Sequence, residues 1–297
     1  MGSLTDSEKK YLTASQTVGS ELLQALDHVC READIEYFIF AGTLLGAVRE
    51  RGWIAWDDDV DVAMLREDFE RFRQLANAHL PAHIRFSDAR SDPAHITAIP
   101  RLLHLRTQRA PAARSRRTVP PETKHVPLDI FTLDRPPLNP RRQWVWRLHV
   151  RILEKLVLAR GTRIRDVVRS KGRVWKKAGE LAGVLVAKTA KPSTWRQRHF
   201  VVSSIHATSG SRYVCSSNDF KLATRKILLP RETISPSVGM LFDGMTVRGA
   251  SDAHAVLRKL YGDDYLTPPP PHDRRPLHFR SALSAVVDGR SVYIRPD

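Results

Sequence analysis

The sequence predicts an α/β or α+β fold in which helices pack on a β-sheet. Helical patterns and short β-prone runs alternate through the first half of the chain. The chain has 297 residues, 42% of them hydrophobic, so it can bury a sizeable core and whole-chain disorder is excluded. Its two cysteines, Cys30 and Cys215, cannot supply a disulfide framework or a cysteine-based zinc site, and a reducing compartment is expected.

The first predicted elements are a helix, a strand, a glycine turn and a short helix. Residues 8–33 place apolar side chains on one helical face, which predicts an amphipathic helix. Residues 36–41 form a short β-prone run that stops at Gly42, and residues 43–49 have helical composition.

Further strands and a helix follow. Residues 59–65 alternate carboxylate and apolar side chains, which predicts a strand, and residues 66–80 return to a helical period. Additional strands are predicted at residues 83–86, 95–105 and 126–133.

The second half of the chain begins after a segment, residues 106–122, whose Pro, Arg and Ser content predicts a loop. Two or three basic helices are predicted within residues 141–208. Asp243-Gly244 lies between apolar runs and predicts a hairpin, and Asp252 is expected to cap a last helix that ends at Tyr261.

Positive charge is concentrated in one segment. Residues 140–200 contain 17 basic and 3 acidic side chains, which gives +14 of the formal net charge of +16. With its tryptophans, this composition is typical of a surface that contacts an anionic membrane, and a solvated arginine-rich insertion is the alternative. Neither a spanning helix nor a signal peptide is expected, which favours a cytoplasmic location, peripheral to the inner face of the membrane if the segment binds lipid.

The densest chemical signal is the acidic run in residues 56–61, WDDDVD. Alternation in a strand would place Asp59 and Asp61 on one face. Two nearby carboxylates repel each other unless a cation lies between them, and oxygen ligands suit Mg²⁺ or Mn²⁺. A solvated acidic turn is the alternative. Upstream, Gly42 and Thr43 join a strand to a helix and form a turn that can hold a phosphate.

Residues 37–72, YFIFAGTLLGAVRERGWIAWDDDVDVAMLREDFERF, closely resemble the signature of the LicD family, which includes the fukutin-type proteins. Residues 125–134 are similar to the second acidic block of that family, and residues 257–270 to its C-terminal block. The resemblance therefore spans most of the chain, except for the loop at 106–122 and the arginine-rich middle.

The resemblance implies a nucleotidyltransferase-like fold. Together with the predicted elements, it gives an α+β fold with a mixed sheet, flanking helices and a basic helical insertion. We expect a catalytic core in residues 1–139, the insertion in 140–210, and a C-terminal part in 211–297 that completes the domain.

The implied activity is metal-dependent transfer of a phosphoryl-linked group, phosphocholine or a phosphoalditol. The donor would be CDP-activated, such as CDP-choline or a CDP-alditol, the acceptor a glycan or glycolipid hydroxyl, and the product CMP. Two alternatives remain open: transfer of a nucleoside monophosphate, and a catalytically inert basic protein that binds membrane or nucleic acid. Nucleic acid is the less favoured partner of the two.

Matching the family motif residue by residue gives a candidate site. Asp59, Asp61 and Asp129 match the catalytic carboxylates that hold Mg²⁺ or Mn²⁺, and Asp129 is also a candidate base. The substrate-binding residues would be Gly42 and Thr43 in the phosphate turn, Arg49 at the diphosphate and Trp56 stacked on cytosine.

Several nearby residues are left open by the resemblance. Asp57 and Asp58 either touch the metal or hold water and cap the turn. Glu50 replaces the histidine that is common at its position. His104 and two other histidines, His125 and His149, show no spacing typical of metal ligands.

Overall fold

The computed structural model describes residues 4–92, 95, 97–110, 124–160, 162, 164–169, 174–206, 208–216, 227–277, 282–287 and 289–294. Its helices are α1 (Asp6–Glu32), α2 (Ala41–Glu50), α3 (Arg66–His79), α4 (Pro140–Arg160), α5 (Ile164–Arg169), α6 (Val174–Lys188), α7 (Pro192–Ser204) and α8 (Ala253–Tyr261). Its strands are β1 (Phe38–Ile39), β2 (Val60–Leu65), β3 (Ile84–Ser87), β4 (Arg101–His104), β5 (Gln108–Ala110), β6 (Val126–Asp134), β7 (Tyr213–Ser216), β8 (Leu229–Pro230), β9 (Val238–Phe242), β10 (Met245–Gly249), β11 (Ala282–Val287) and β12 (Arg290–Ile294). The α+β class is confirmed.

The main sheet is mixed. Its strand order is β1-β2-β6-β4-β3, and β7 pairs with the C-terminal end of β6 and with β8. β2 and β6 run parallel, whereas the other neighbours in this sheet run antiparallel. The smaller sheets of the described residues are the β9–β10 hairpin and the three strands β12-β11-β5.

The central strands and α1 form the core. Val60 and Val62 of β2 lie opposite Leu128 and Ile130 of β6, and all four side chains are fully buried. α1 contributes a buried apolar face, as its sequence period predicts. It begins with a capping box in which the Thr5 hydroxyl oxygen accepts the Glu8 N–H.

Several local predictions are confirmed. The hairpin turn at Asp243 and Gly244 has positive φ at both residues, which the Asp-Gly pair tolerates. The Asp252 carboxylate accepts the Ala255 N–H and caps α8. Cys30 and Cys215 are buried free thiols.

Other local predictions are wrong in extent. The strand predicted at 36–41 is reduced to Phe38–Ile39, because α2 already begins at Ala41. The strand predicted at 95–105 is limited to β4, which begins only after Pro100, a residue without an N–H for the ladder. The loop predicted at 106–122 contains β5, which pairs with β11 much later in the chain, with Ala110 opposite Ala282. Residues 111–123 of that loop lie outside the described residues.

The basic segment is helical, as predicted, but its described residues form four helices, α4 to α7, rather than two or three. α4 packs on α6 and α7 around a small apolar cluster that includes Leu156, Ala187 and Trp195. Within the described residues, no helix has both the length and the apolar composition that crossing a membrane requires. The domain boundaries at 139 and 210 stay predictions.

A buried ion pair connects this segment to the sheet. Arg66, at the start of α3, donates from Nε and Nη2 to the two carboxylate oxygens of Asp134 at 2.7 and 2.8 Å. Its guanidinium also lies 4.8 Å from the ring centroid of Phe200 in α7. Asp134 is fully buried, so each partner depends on the other for its charge to be tolerated inside the protein.

We expect Asp134→Asn to lower the free energy of unfolding by about 3–5 kcal/mol, because it removes the buried anion of Arg66 and leaves that charge the longer contact of 3.5 Å with Glu70. Denaturant unfolding followed by circular dichroism measures this loss. The control is Lys9→Gln, which removes an exposed partner of Asp6 and is expected to cost less than about 1 kcal/mol. Equal small losses for both variants would contradict the assignment of Arg66–Asp134 as a structural pair.

Candidate active site

Asp61 and Asp129 are brought together by the register of the main sheet. They are Cα partners across the parallel β2–β6 ladder. Opposed residues in a ladder direct their side chains to the same face, and neighbouring strands lie about 4.8 Å apart. The other face lies in the core and carries Val60, Val62, Leu128 and Ile130. Two of the three carboxylates predicted from the sequence therefore lie side by side.

Asp59 belongs to a second group of carboxylates. It directly precedes β2, and one carboxylate oxygen of each of Asp57, Asp58 and Asp59 lies within 4.8 Å of the others. Burial and, to a smaller extent, the nearby Asp59 and Asp58 charges together raise the pKa of the Asp57 carboxyl to about 9. Asp57 therefore holds a proton at neutral pH. A crowded set of carboxylate oxygens that retains a proton fits a site for Mg²⁺ or Mn²⁺.

The acidic run is fixed by contacts from both ends of the chain. Gln16 of α1 donates to the backbone oxygen of Asp57 at 2.9 Å. The Asp58 carboxylate accepts the Leu277 N–H at 3.2 Å and interacts with the phenol of Tyr11. Because Asp58 is only 1% exposed and has these partners, it holds α1 and the C-terminal segment against the run.

Gly42 and Thr43 lie in the first turn of α2 and contact the acidic residues directly. A Cβ at Gly42 would lie 2.6 Å from Oδ2 of Asp57, so only glycine leaves room for that carboxylate. The Thr43 hydroxyl oxygen accepts the Asp61 N–H at 2.9 Å, and Thr43 is buried. These residues position Asp57 and Asp61, and the contact with a substrate phosphate expected from the sequence stays a prediction.

Arg101 is a site residue that the sequence did not predict. It lies on β4 directly opposite Asp129, and its Nε donates to Oδ1 of Asp129 at 2.6 Å, while Nη2 donates to Oδ2 at 3.3 Å. This bidentate contact fixes the orientation of the Asp129 carboxylate. No local motif could have revealed Arg101, because its role depends on the pairing of β4 with β6.

Two arginines lie over the ring of Trp56. The guanidinium carbons of Arg49 and Arg274 are 5.6 and 5.3 Å from the ring centroid. Glu50 accepts two hydrogen bonds from Arg49, the shorter at 2.7 Å, so the residue that departs from the family pattern restrains Arg49. The structure thus places positive charge beside the acidic run, and Arg274 is an addition to the residues predicted from sequence.

We expect Gly42→Ala to lower the free energy of unfolding by about 1–3 kcal/mol, since the new methyl group overlaps the Asp57 carboxylate. In an Asp57→Ala background the same change should be neutral or stabilising by up to about 1 kcal/mol, because alanine is the better helix former. Denaturant unfolding of the four proteins in this cycle measures both effects. Equal changes in the two backgrounds would rule out the close contact.

Comparison with known proteins finds matches that include the part of the chain carrying the acidic run. The family model described as LicD/FKTN/FKRP, nucleotidyltransferase domain, matches residues 34–109, which include α2, β2 and the acidic run. The chain is 25% identical over 279 residues to the lipopolysaccharide cholinephosphotransferase LicD of Haemophilus influenzae, which covers 93% of this chain and 98% of that protein. Uncharacterised proteins of Rickettsia typhi and Rickettsia prowazekii are 41% and 36% identical over 69 residues, 23% of this chain and 21% and 26% of those proteins. The resemblance predicted from the motifs is thereby confirmed: residues 34–109 match the LicD/FKTN/FKRP family model, and the chain is similar to the Haemophilus protein over most of its length.

Proposed function

We propose that the protein transfers phosphocholine from CDP-choline to a hydroxyl of a lipopolysaccharide-type glycan and releases CMP. The observation that carries the proposal is the pairing of Asp61 with Asp129 beside the Asp57–Asp59 carboxylates. The activity for which the Haemophilus relative is named supports phosphocholine as the transferred group and lipopolysaccharide as the acceptor class. A CDP-alditol is the second donor class, and the same carboxylates would serve it.

The acidic residues would hold Mg²⁺ or Mn²⁺, with Asp59, Asp61 and Asp129 as the proposed ligands. When bound, such an ion neutralises the diphosphate and the charge that develops on the departing CMP. Asp57 and Asp58 adjoin these ligands and keep the run in place.

The remaining residues would bind the donor and orient the acceptor. Trp56 would stack on the cytosine ring. Arg49 and Arg274, whose guanidinium groups now lie over the Trp56 ring, would turn to meet the diphosphate. Asp129, oriented by Arg101, would take the proton of the acceptor hydroxyl. The hydroxyl oxygen then bonds to the β-phosphorus, and the bond from that phosphorus to the bridging oxygen breaks, so CMP leaves with the electron pair.

Product analysis separates this reaction from nucleotidyl transfer. Purified protein, Mg²⁺ and an acceptor glycan are incubated with CDP-choline, CDP-ribitol or CDP-glycerol, or with a nucleoside triphosphate. Release of CMP supports the proposal, and release of pyrophosphate from a triphosphate supports transfer of a nucleoside monophosphate. Absence of both products with every donor would favour an inert binding protein.

We expect Asp59→Asn and Asp61→Asn each to lower CMP release by at least about 100-fold, because each removes a charge that the ion and the diphosphate require. Circular dichroism should show an unchanged fold. Asp6→Asn changes a carboxylate that is 92% exposed and is the matched control. Near-normal turnover of either site variant in saturating Mg²⁺ would remove that residue from the site.

We further propose that the α4–α7 segment binds an anionic lipid surface. Trp144 and Trp175 are 64% and 88% exposed, and other large apolar side chains of the segment are exposed as well. Arg141 and Arg142 line a groove of about 460 Å³ whose walls include Val145 and other apolar residues. Exposed tryptophans beside cationic side chains match the interface of an anionic bilayer, where each engaged Lys or Arg contributes roughly 1 kcal/mol.

We expect co-sedimentation with anionic but not with neutral vesicles, weakened by added salt. Trp144→Ser combined with Trp175→Ser should reduce pelleting at least about tenfold, since both indole rings leave the interface. Leu266→Ser, a change of a half-exposed side chain outside the segment, serves as control. No pelleting with anionic vesicles at low salt would contradict lipid binding.

A further inference from the structure

A second cluster of metal-ligand side chains lies away from the acidic run. Glu21 belongs to α1, His83 precedes β3, and His104 ends β4. The His83 Nε2 atom is 2.6 Å from Oε1 of Glu21, and the His104 Nε2 atom is 3.1 Å from Oε2 of the same carboxylate. The ligand atoms of all three side chains lie within 4.8 Å of one another. Both imidazoles therefore converge on one carboxylate through the same ring atom.

The cluster is buried on the side of His104 and open to solvent on the side of Glu21. His104 is 1% exposed, and its Nδ1 atom has no hydrogen-bond partner in the described part of the chain. Because no described group donates a hydrogen bond to Nδ1, the ring is not locked in the tautomer that carries its hydrogen on Nε2. The Glu21 side chain is 43% exposed, so solvent reaches the point where the three side chains meet.

We propose that Glu21, His83 and His104 bind a divalent transition-metal ion, with Zn²⁺ the best match. Two imidazole nitrogens and one carboxylate form a ligand set that suits Zn²⁺, whereas Mg²⁺ prefers oxygen ligands alone. The fourth position is open to water through the exposed side of Glu21. For the ion to bind, the hydrogen on Nε2 of each neutral ring moves to Nδ1 of the same ring, which leaves the Nε2 lone pair for the ion. The side chains need shift only enough to reach bond lengths of about 2.0–2.2 Å.

The bound ion cross-links α1 to the β3–β4 edge of the main sheet. His104 pairs with Ile84 of β3 and with Val126 of β6, and β4 also carries Arg101, the partner of Asp129. Zinc binding is therefore expected to stabilise the edge that orients Asp129. The proposal does not depend on phosphocholine transfer, because the cluster shares no residue with the acidic run.

Calorimetric titration of the untagged, metal-free full chain with Zn²⁺ at pH 7.5 tests the proposal. We expect one binding event. Glu21→Gln or His83→Gln should each lower the Zn²⁺ affinity by more than about 100-fold, because loss of a hydrogen-bond partner outside the ligand set lowers metal affinity by only roughly 10–100-fold. His28→Gln is the matched control, because it removes a histidine of α1 that contacts Glu32, a glutamate outside the cluster. Unchanged Zn²⁺ affinity in both cluster variants, or no Zn²⁺ binding by the unaltered chain, would overturn the proposal.

A second measurement separates this site from the acidic run. Asp61→Asn should leave the Zn²⁺ affinity unchanged, and excess Mg²⁺ should not displace the ion. Co²⁺ bound in place of Zn²⁺ should give the visible absorption of a four-coordinate site, absent from Glu21→Gln. Loss of Zn²⁺ binding in Asp61→Asn but not in Glu21→Gln would assign the ion to the acidic run and reject the cluster.

Discussion

The parallel pairing of β2 with β6 is the constraint on which the candidate site depends. It places Asp61 beside Asp129 on one face while Val60, Val62, Leu128 and Ile130 fill the core on the other. A shift of one residue would turn the carboxylates into the core and the valines toward the site. The apolar packing that stabilises the fold therefore also sets the separation of the two carboxylates.

Crowded negative charge is the electrostatic consequence of this register. The protein tolerates it in several ways at once: Asp57 retains a proton, Asp58 is hydrogen-bonded inside the protein, and Arg101 pairs with Asp129. A divalent cation would replace the proton and complete the neutralisation. In the proposed function, the same crowding that opposes folding would prepare the site for an ion and for a diphosphate.

Local patterns predicted α1, the strand of the acidic run and the Asp243-Gly244 hairpin, because each is encoded by neighbouring residues. The β5–β11 pairing, the Arg101 contact and the Glu21–His83–His104 cluster could not be predicted in this way. Their members come from distant parts of the chain and meet only through tertiary packing, so His104 showed no ligand spacing. Asp59, expected on the same strand face as Asp61, directly precedes β2, and its carboxylate also lies within 4.8 Å of those of Asp57 and Asp58.

Anomalous diffraction from crystals grown with Mn²⁺ and CDP-choline tests the central claim, that the carboxylates brought together by the β2–β6 pairing form the metal and donor site. The account predicts an anomalous peak at coordination distance from Asp61 and at least one of Asp59 and Asp129, with the donor diphosphate bound to the same ion. A peak that contacts none of these three carboxylates, with the donor bound elsewhere on the protein, would contradict it.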